Sequence, residues 1–248
     1  TINGKQVEIL QKDPFSTLDL SGVGTIESAI PGRLLLTGHM ESAGSCLAWL
    51  VDNVCTAEIK EANAANVDVY DLITKNAKQV PPGSRNLLYL PWPVGERCPF
   101  INPFVRSAFL NLSFDHTRSH MVRAVLEGVA YNTRWVKELL ESLGHDISRL
   151  NICGGGAKSD LWMQIFADVL NVPLQRTSTI QDVGSVGVAL VAAVALGEFK
   201  SFDHLEPLFS YDFQVKPDSE RVETYNRLYK AFRDIFDHFS AVCYQLNT

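Results

Sequence analysis

Between Leu150 and Asp160 the chain reads Leu-Asn-Ile-Cys-Gly-Gly-Gly-Ala-Lys-Ser-Asp, an apolar strand that runs through three glycines directly into a helix. A strand joined to a helix with no spacer is the joint from which layered α/β folds are built. Glycine lacks Cβ, so its backbone can adopt φ > 0 or let a flat base or a phosphate approach closely. The helix start adds unpaired N–H groups and a partial positive charge. Two readings stay open on these residues alone: a tight turn that needs φ > 0, and a ligand cradle.

Familiar glycine motifs do not fit. A Walker A loop would need Gly where Ala157 precedes Lys158-Ser159. A dinucleotide fingerprint would use Gly154 and Gly156 but meets Ser159 at its third position. Some twenty residues on it finds Arg176, not an acid for a ribose. A Rossmann oxidoreductase is thereby left as a minor alternative.

The flanking pattern extends the α/β reading. Arg33–Thr37 reads as the first clear strand after a lead-in rich in Gly, Ser, Thr and Pro. Apolar spacing predicts a helix over Ser42–Val54 and a short one around Val69–Ile73, with a strand at Leu87–Leu90. Pro91–Pro103 carries four prolines and must be irregular. Its Trp92, Phe100 and Phe104, with Glu96 and Arg97, are expected to form an exposed interaction surface. The stripe from Met121 to Leu143 predicts a long helix over Thr117–Leu143, capped by Thr117 and stopped by Gly144. Then come a strand (Arg149–Cys153), a helix (Ser159–Leu170), a strand (Pro173–Arg176), a small-residue helix (Ser185–Leu196) and a final helix from about Ser219 to Tyr244.

Composition narrows the chemistry. With 22 Lys and Arg against 28 Asp and Glu the net charge is −6, and no basic block offers a nucleic-acid footprint or a membrane patch. The apolar run Val186–Leu196 is too short to span a bilayer and predicts a buried helix. Lys5, Gln6 and Glu8 stand where a signal peptide would be apolar, and the five scattered cysteines form no CxxC pair. A cytoplasmic setting, with no metal site, is the expectation. Thr1 in place of Met suggests a piece of something longer.

Three further segments lie in a telling order. Gly95-Glu96-Arg97-Cys98-Pro99 is followed by Asn102-Pro103. Then come Ser107, Phe109, Leu112, His120, Met121, Ala124, Val125, Leu126, Glu127 and Gly128 in register, and Gly154–Ser159 with Asp168-Val169-Leu170. This order resembles the C-terminal domain of the FGGY carbohydrate kinases, of the actin-like ATPase superfamily, and particularly the xylulokinase-like members. The likeness runs roughly from Leu34 to Gly197, and Asn111 departs from it where the pattern has Gly.

The resemblance implies a ribonuclease H-like mixed sheet with helices on both faces. It makes residues 1–33 a lead-in from a missing N-terminal domain and 34–248 a nucleotide-binding domain. It also implies ATP-dependent phosphorylation of a sugar, best a ketopentose such as xylulose, with ATP and Mg²⁺ as cofactors. Gly154, Gly155, Gly156 and Ala157 would lie along the adenosine, Gly155 at positive φ, with Ser159 near adenine and Gly44 near the phosphates. For Gly44 a helix packing contact is an equal reading. The catalytic base, the main sugar contacts and the first phosphate loop would lie upstream, so no catalytic residue is assigned in this chain. Partners are then the sugar, ATP, the missing domain and, as an open alternative, a second copy of the chain. A non-catalytic module on the same fold also stays open.

The remaining candidates carry bland readings. His116 and His120, four apart, suit a solvated or capping role, and Lys158 suits the surface. Trp49, Trp92, Trp135 and Trp162 suit core or interface. Glu127 and Asp168 suit caps or pairs, a lone acid on a helix being commonly solvated.

Overall fold

The computed structural model describes residues 22–178, 182–202 and 210–248. Its spine is the long helix, α4 (Arg118–Ser142), preceded by α1 (Gly44–Val54), α2 (Thr56–Ala65) and α3 (Val69–Lys78). Thr117 and His120 form a capping box at its start. The Thr117 amide donates to His120 Nδ1 at 3.2 Å, so the histidine serves as a cap. Gly144, at φ +91°, follows its end. The buried stripe of α4, including Val122, Val125, Leu126 and Val129, is the wall on which the other elements are laid.

Strand β3 (Leu88–Leu90) crosses that wall and pairs antiparallel with β4 (Ala108–Leu110). It comes close enough that a Cβ on Gly128 would stand 2.3 Å from the Tyr89 carbonyl oxygen, which only glycine avoids. Asn111, directly after β4, sits at φ +65°; the turn that glycine makes in the family pattern is made here by the residue next most tolerant of it. Hairpin β1 (Val23–Glu27) and β2 (Leu34–Gly38) packs Val23 and Leu36 against Val136, Leu139 and Leu140.

The central sheet is mixed: β5 (Leu150–Ile152) runs parallel to β6 (Leu174–Thr177), and β6 antiparallel to β7 (Tyr211–Val215). The crossover between β5 and β6 is α5 (Asp160–Leu170), packed on α4. After β6 come α6 (Val183–Ala195), α7 (Ser219–Asp234) and α8 (Phe236–Asn247). The expected α/β class, a mixed sheet flanked by helices, is what forms.

Several expectations are corrected. Strand β1 falls within the stretch read as lead-in. Helix α2, β4 and β7 were not anticipated, and the final helix is two, meeting at Ile235. The helix expected over Ser185–Leu196 to be buried is α6, Val183–Ala195; none of its residues is buried and Val188 is 72% exposed, because the described residues cover it only in part. Trp92 and Phe100 are not an exposed surface. Trp92 is fully buried, with Phe100 at 5.2 Å and Phe232 at 5.5 Å between ring centroids. Phe104 rests against Tyr244. An irregular, proline-rich segment can be core when its polar groups are met: Trp92 Nε1 donates to Asn132 Oδ1 (3.1 Å), and Asn132 Nδ2 to Glu96 Oε2 (2.8 Å).

Glu96 also accepts from the Glu41 amide (2.8 Å) and the Arg97 amide (2.9 Å), which pins the loop before α1. Burial pushes its carboxyl above the usual glutamate range, and these donors offset part of the push. The unfolded chain ionises Glu96 at the ordinary value; the folded chain does so only at higher pH. Between those two pH values folding stability therefore falls as pH rises. Urea unfolding of Glu96→Gln should lose that component of the slope from pH 4.5 upward, and an unchanged slope refutes the assignment.

Glu127 is a structural pair, as read, and a buried one. It accepts from Gly83 N (2.9 Å), Ser84 Oγ (3.0 Å), Arg123 Nε (2.7 Å) and the Tyr225 hydroxyl (2.9 Å). Those bonds hold a left-handed turn, Gly83 at φ +81° and then Ser84, Arg85 and Asn86 at +48°, +53° and +66°, a conformation costly for residues with Cβ. Asp168 is likewise paired, accepting from the Asp218 amide (2.8 Å) and Gln164 Nε2 (2.7 Å). Removing one member of a buried ion pair leaves the other uncompensated, so Glu127→Ala should cost about 3–5 kcal/mol in urea unfolding. A loss below about 1 kcal/mol would mean the pair is not fully formed.

Candidate functional site

The three glycines turn out to be different objects. Gly154 has φ +86° and ψ −175°, ending β5 in a conformation that residues with Cβ avoid. Gly156 is a packing glycine, since its Cβ would meet the Trp162 ring at 3.2 Å. Gly155 has neither constraint. It lies outside the positive-φ residues, contrary to expectation, and a Cβ there would meet nothing within 4 Å.

The helix does not begin directly at the glycines either. Gly155–Lys158 forms a 3₁₀ turn, closed by Ala157 N–H to Gly154 O (3.1 Å) and Ser159 N–H to Gly156 O (3.3 Å). Ser159 then caps α5, its Oγ accepting from the Trp162 amide at 3.3 Å. Trp162 itself is buried and donates from Nε1 to Leu126 O (3.0 Å), so α4 supports the turn from beneath. Ala157 is fully buried, which leaves its side chain no ligand to face, whereas Lys158 is exposed. What the turn presents outward is the bare backbone of Gly154 and Gly155.

Gly44 is exposed at the start of α1, and a Cβ there would also meet nothing within 4 Å, so the packing reading for it falls away. Helix α1 has no side-chain cap and packs on α4 and α2, an element apart from the glycine turn. Among the described residues no group of three His, Cys, Asp or Glu could hold a metal ion. The five cysteines are free, and Cys153 alone of them is exposed, immediately before Gly154. No helix of the described residues is long and apolar enough to cross a membrane.

Arg176 is the neighbour that sequence reasoning did not place. Its Nη1 donates to the Ala157 carbonyl at 2.9 Å and pairs with Asp160 Oδ1 at 3.0 Å, while Nε reaches Asp212 Oδ1 at 3.0 Å. The only hint in the sequence was its position at the end of the strand after the glycine helix.

A mixed sheet flanked by helices, with a glycine turn opening outward from the end of a parallel strand, is consistent with the fold of the actin-like ATPase superfamily. Residues 10–196 match the FGGY family of carbohydrate kinases, C-terminal domain, and the chain belongs to that family. It is 32% identical over 199 residues to a gluconokinase of Bacillus subtilis, covering 80% of this chain and 39% of that one. It is 29% identical over 217 residues to a xylulose kinase of Staphylococcus epidermidis, covering 87% and 42%. The crystal structure of xylulose kinase from Rhodospirillum rubrum superposes with a TM-score of 0.77 at 31% identity, over 90% of this chain and 43% of that one. The chain thus spans about two fifths of the length of these relatives.

Ser159 has a structural duty that can be measured apart from any ligand. Ser159→Ala should lower stability by about 1 kcal/mol in urea unfolding, the usual worth of an N-cap, and no loss would mean its Oγ does not cap α5.

Proposed function

We propose that this chain is the nucleotide-holding part, residues 34–248, of an ATP-dependent carbohydrate kinase. Family membership supports the reaction class, and one observation carries the local assignment. The fold accounts for Gly154 by its φ and for Gly156 by Trp162, but gives no reason for Gly155. A ligand lying flat on the turn gives one, because any side chain at that position would stand in its way. The open face of Gly154 and Gly155 fits an adenosine. Gly44, on a separate and uncapped helix start, is assigned by the family pattern toward the phosphates.

The chemistry falls to the whole protein. Transfer of the γ-phosphoryl group to a sugar hydroxyl needs a carboxylate base and neutralisation of phosphate charge. The buried acids described here, Glu96, Glu127 and Asp168, are each engaged by structural donors. None of these three is taken as the base, which is assigned, on the family resemblance, outside this chain. Mg²⁺, implied by the family's chemistry, has no cluster of ligands among the described residues. What this chain contributes is orientation: it holds one face of the nucleotide so that the other half of a cleft can close on the phosphates. A cytoplasmic setting fits this role.

Xylulose is the first substrate to try, supported by the sequence and structural likeness to xylulose kinases. The 32% identity to a gluconokinase makes gluconate the second. A coupled ADP-release assay of the full-length protein on both acceptors decides between them, and turnover with neither refutes the kinase reading. Gly155→Val should keep stability within about 1 kcal/mol, since a Cβ there meets nothing within 4 Å, yet abolish ADP binding in calorimetric titration. Unchanged ADP affinity would remove the adenosine from this turn.

A further inference from the structure

We propose that Arg176 is a positioning residue for nucleotide binding: it sets the glycine turn at a fixed height and tilt relative to the central sheet. The inference rests on the assignment of adenosine to that turn and goes beyond it by naming what holds the turn in place.

The turn is anchored at three points. Two belong to α5: the Trp162 ring beneath Gly156 and the Ser159 Oγ cap on the Trp162 amide. Both act through α5 and, by the Trp162 bond to Leu126 O, through α4, so they set the turn against the helices and not against the sheet. The third anchor is Arg176, which projects from β6 and donates to the Ala157 carbonyl. The near end of the turn continues β5 of the same sheet; of the three anchors Arg176 is the one that ties its far end, at Ala157, to the sheet.

Arg176 is in turn well held. Its side chain is 14% exposed, its Nε is paired with Asp212 of β7, and its guanidinium lies over the Phe213 ring with 4.8 Å to the centroid. Asp160, the first residue of α5, receives a second bond from the same Nη1 at 3.0 Å. One planar cation thus bridges β7, the turn and the start of α5, a geometry that a guanidinium can satisfy and a lysine ammonium cannot. The two aspartates are 64% and 44% exposed, and ion pairs so exposed contribute little to folding stability. The buried end of the bridge is the carbonyl of Ala157, one residue beyond Gly156.

The consequence for a ligand is specific. Without Arg176 the turn stays joined to β5, but its far end at Ala157 is no longer held to β6, so the turn tilts and the bare backbone of Gly154 and Gly155 meets the nucleoside at the wrong angle. Misplacing the adenosine weakens binding of ATP and ADP without touching the sugar pocket or the reacting groups.

The test uses the full-length protein, with ADP as the calorimetric probe and steady-state kinetics alongside. Arg176→Gln should raise the ADP Kd and the KM for ATP about tenfold, roughly the worth of one charge-assisted hydrogen bond, with kcat and the sugar KM within about twofold. Arg176→Lys should fall between wild type and Gln. Asp212→Asn, which removes the charge of the β7 arm and spares the carbonyl bond, should leave the ADP Kd within about twofold of wild type. An unchanged ADP Kd in Arg176→Gln, an equal loss in Asp212→Asn, or a fall in kcat matching the loss of affinity would each overturn the proposal. Should Arg176→Gln not fold, Arg176→Lys decides in the same way, and a wild-type ADP Kd in that variant overturns it. A wild-type protein that binds no ADP overturns the nucleotide reading and this inference together; wild-type binding with equal binding by the variants overturns this inference alone.

Discussion

A carboxylate with no access to water organises this domain. Burial pushes Glu127 above its usual range, the Arg123 guanidinium opposes that push, and the remaining oxygen capacity is taken by a backbone amide and two hydroxyls from segments far apart in the chain. Isolated, such a charge would be prohibitive. Satisfied, it does what apolar packing cannot: it specifies which turn meets which helix. The turn at Gly83–Asn86 enters β3 in a left-handed path, and β3 then lies on α4 with only Gly128 between the two backbones. Tyr225, the partner from α7, brings the last third of the chain onto the same point. The stripe of α4 gives the core its bulk, and Glu127 gives it its register.

How much of this was legible in the sequence depended on whether a residue's partner was near it in the chain. Strongly periodic helices were readable because an apolar stripe contains its own evidence: α4 and α5 lie within a residue or so of where spacing put them. Helix α2, with its run of Ala, Glu, Lys and Asn, has almost no stripe to read. Strand β1 sits in a Gly- and Ser-rich stretch and becomes a strand because β2 pairs with it. Strands β4 and β7 are likewise defined by their partners. The break at Ile235 carries no Pro or Gly to announce it.

The same rule explains the errors at polar residues. Trp92 looked exposed because its own segment is irregular, and it is core because Asn132, forty residues on, meets its indole N–H. Glu127 was read as a cap or a pair, which it is, with Arg123 one helical turn earlier; that it is buried and also binds Gly83 and Tyr225 needed the fold. Helix α6 was read as buried on its own composition, and burial needs a second surface. At the glycine turn the letters located the feature correctly but could not divide the labour among them. That division needed Trp162 and Arg176, one following the turn and one a strand beyond it.

The division has a consequence for how such a turn drifts over evolutionary time. Gly154 answers to its own backbone: at φ +86° and ψ −175° it occupies a region that is essentially glycine's alone, so no side chain replaces it without moving the turn. Gly156 answers to the indole below, and could enlarge only where the Trp162 ring gives way by a few tenths of an ångström. Gly155 answers to nothing in the folded chain. Of three identical letters in a row, the middle one is free of the fold, and a descendant that gave up its ligand would record the loss there first.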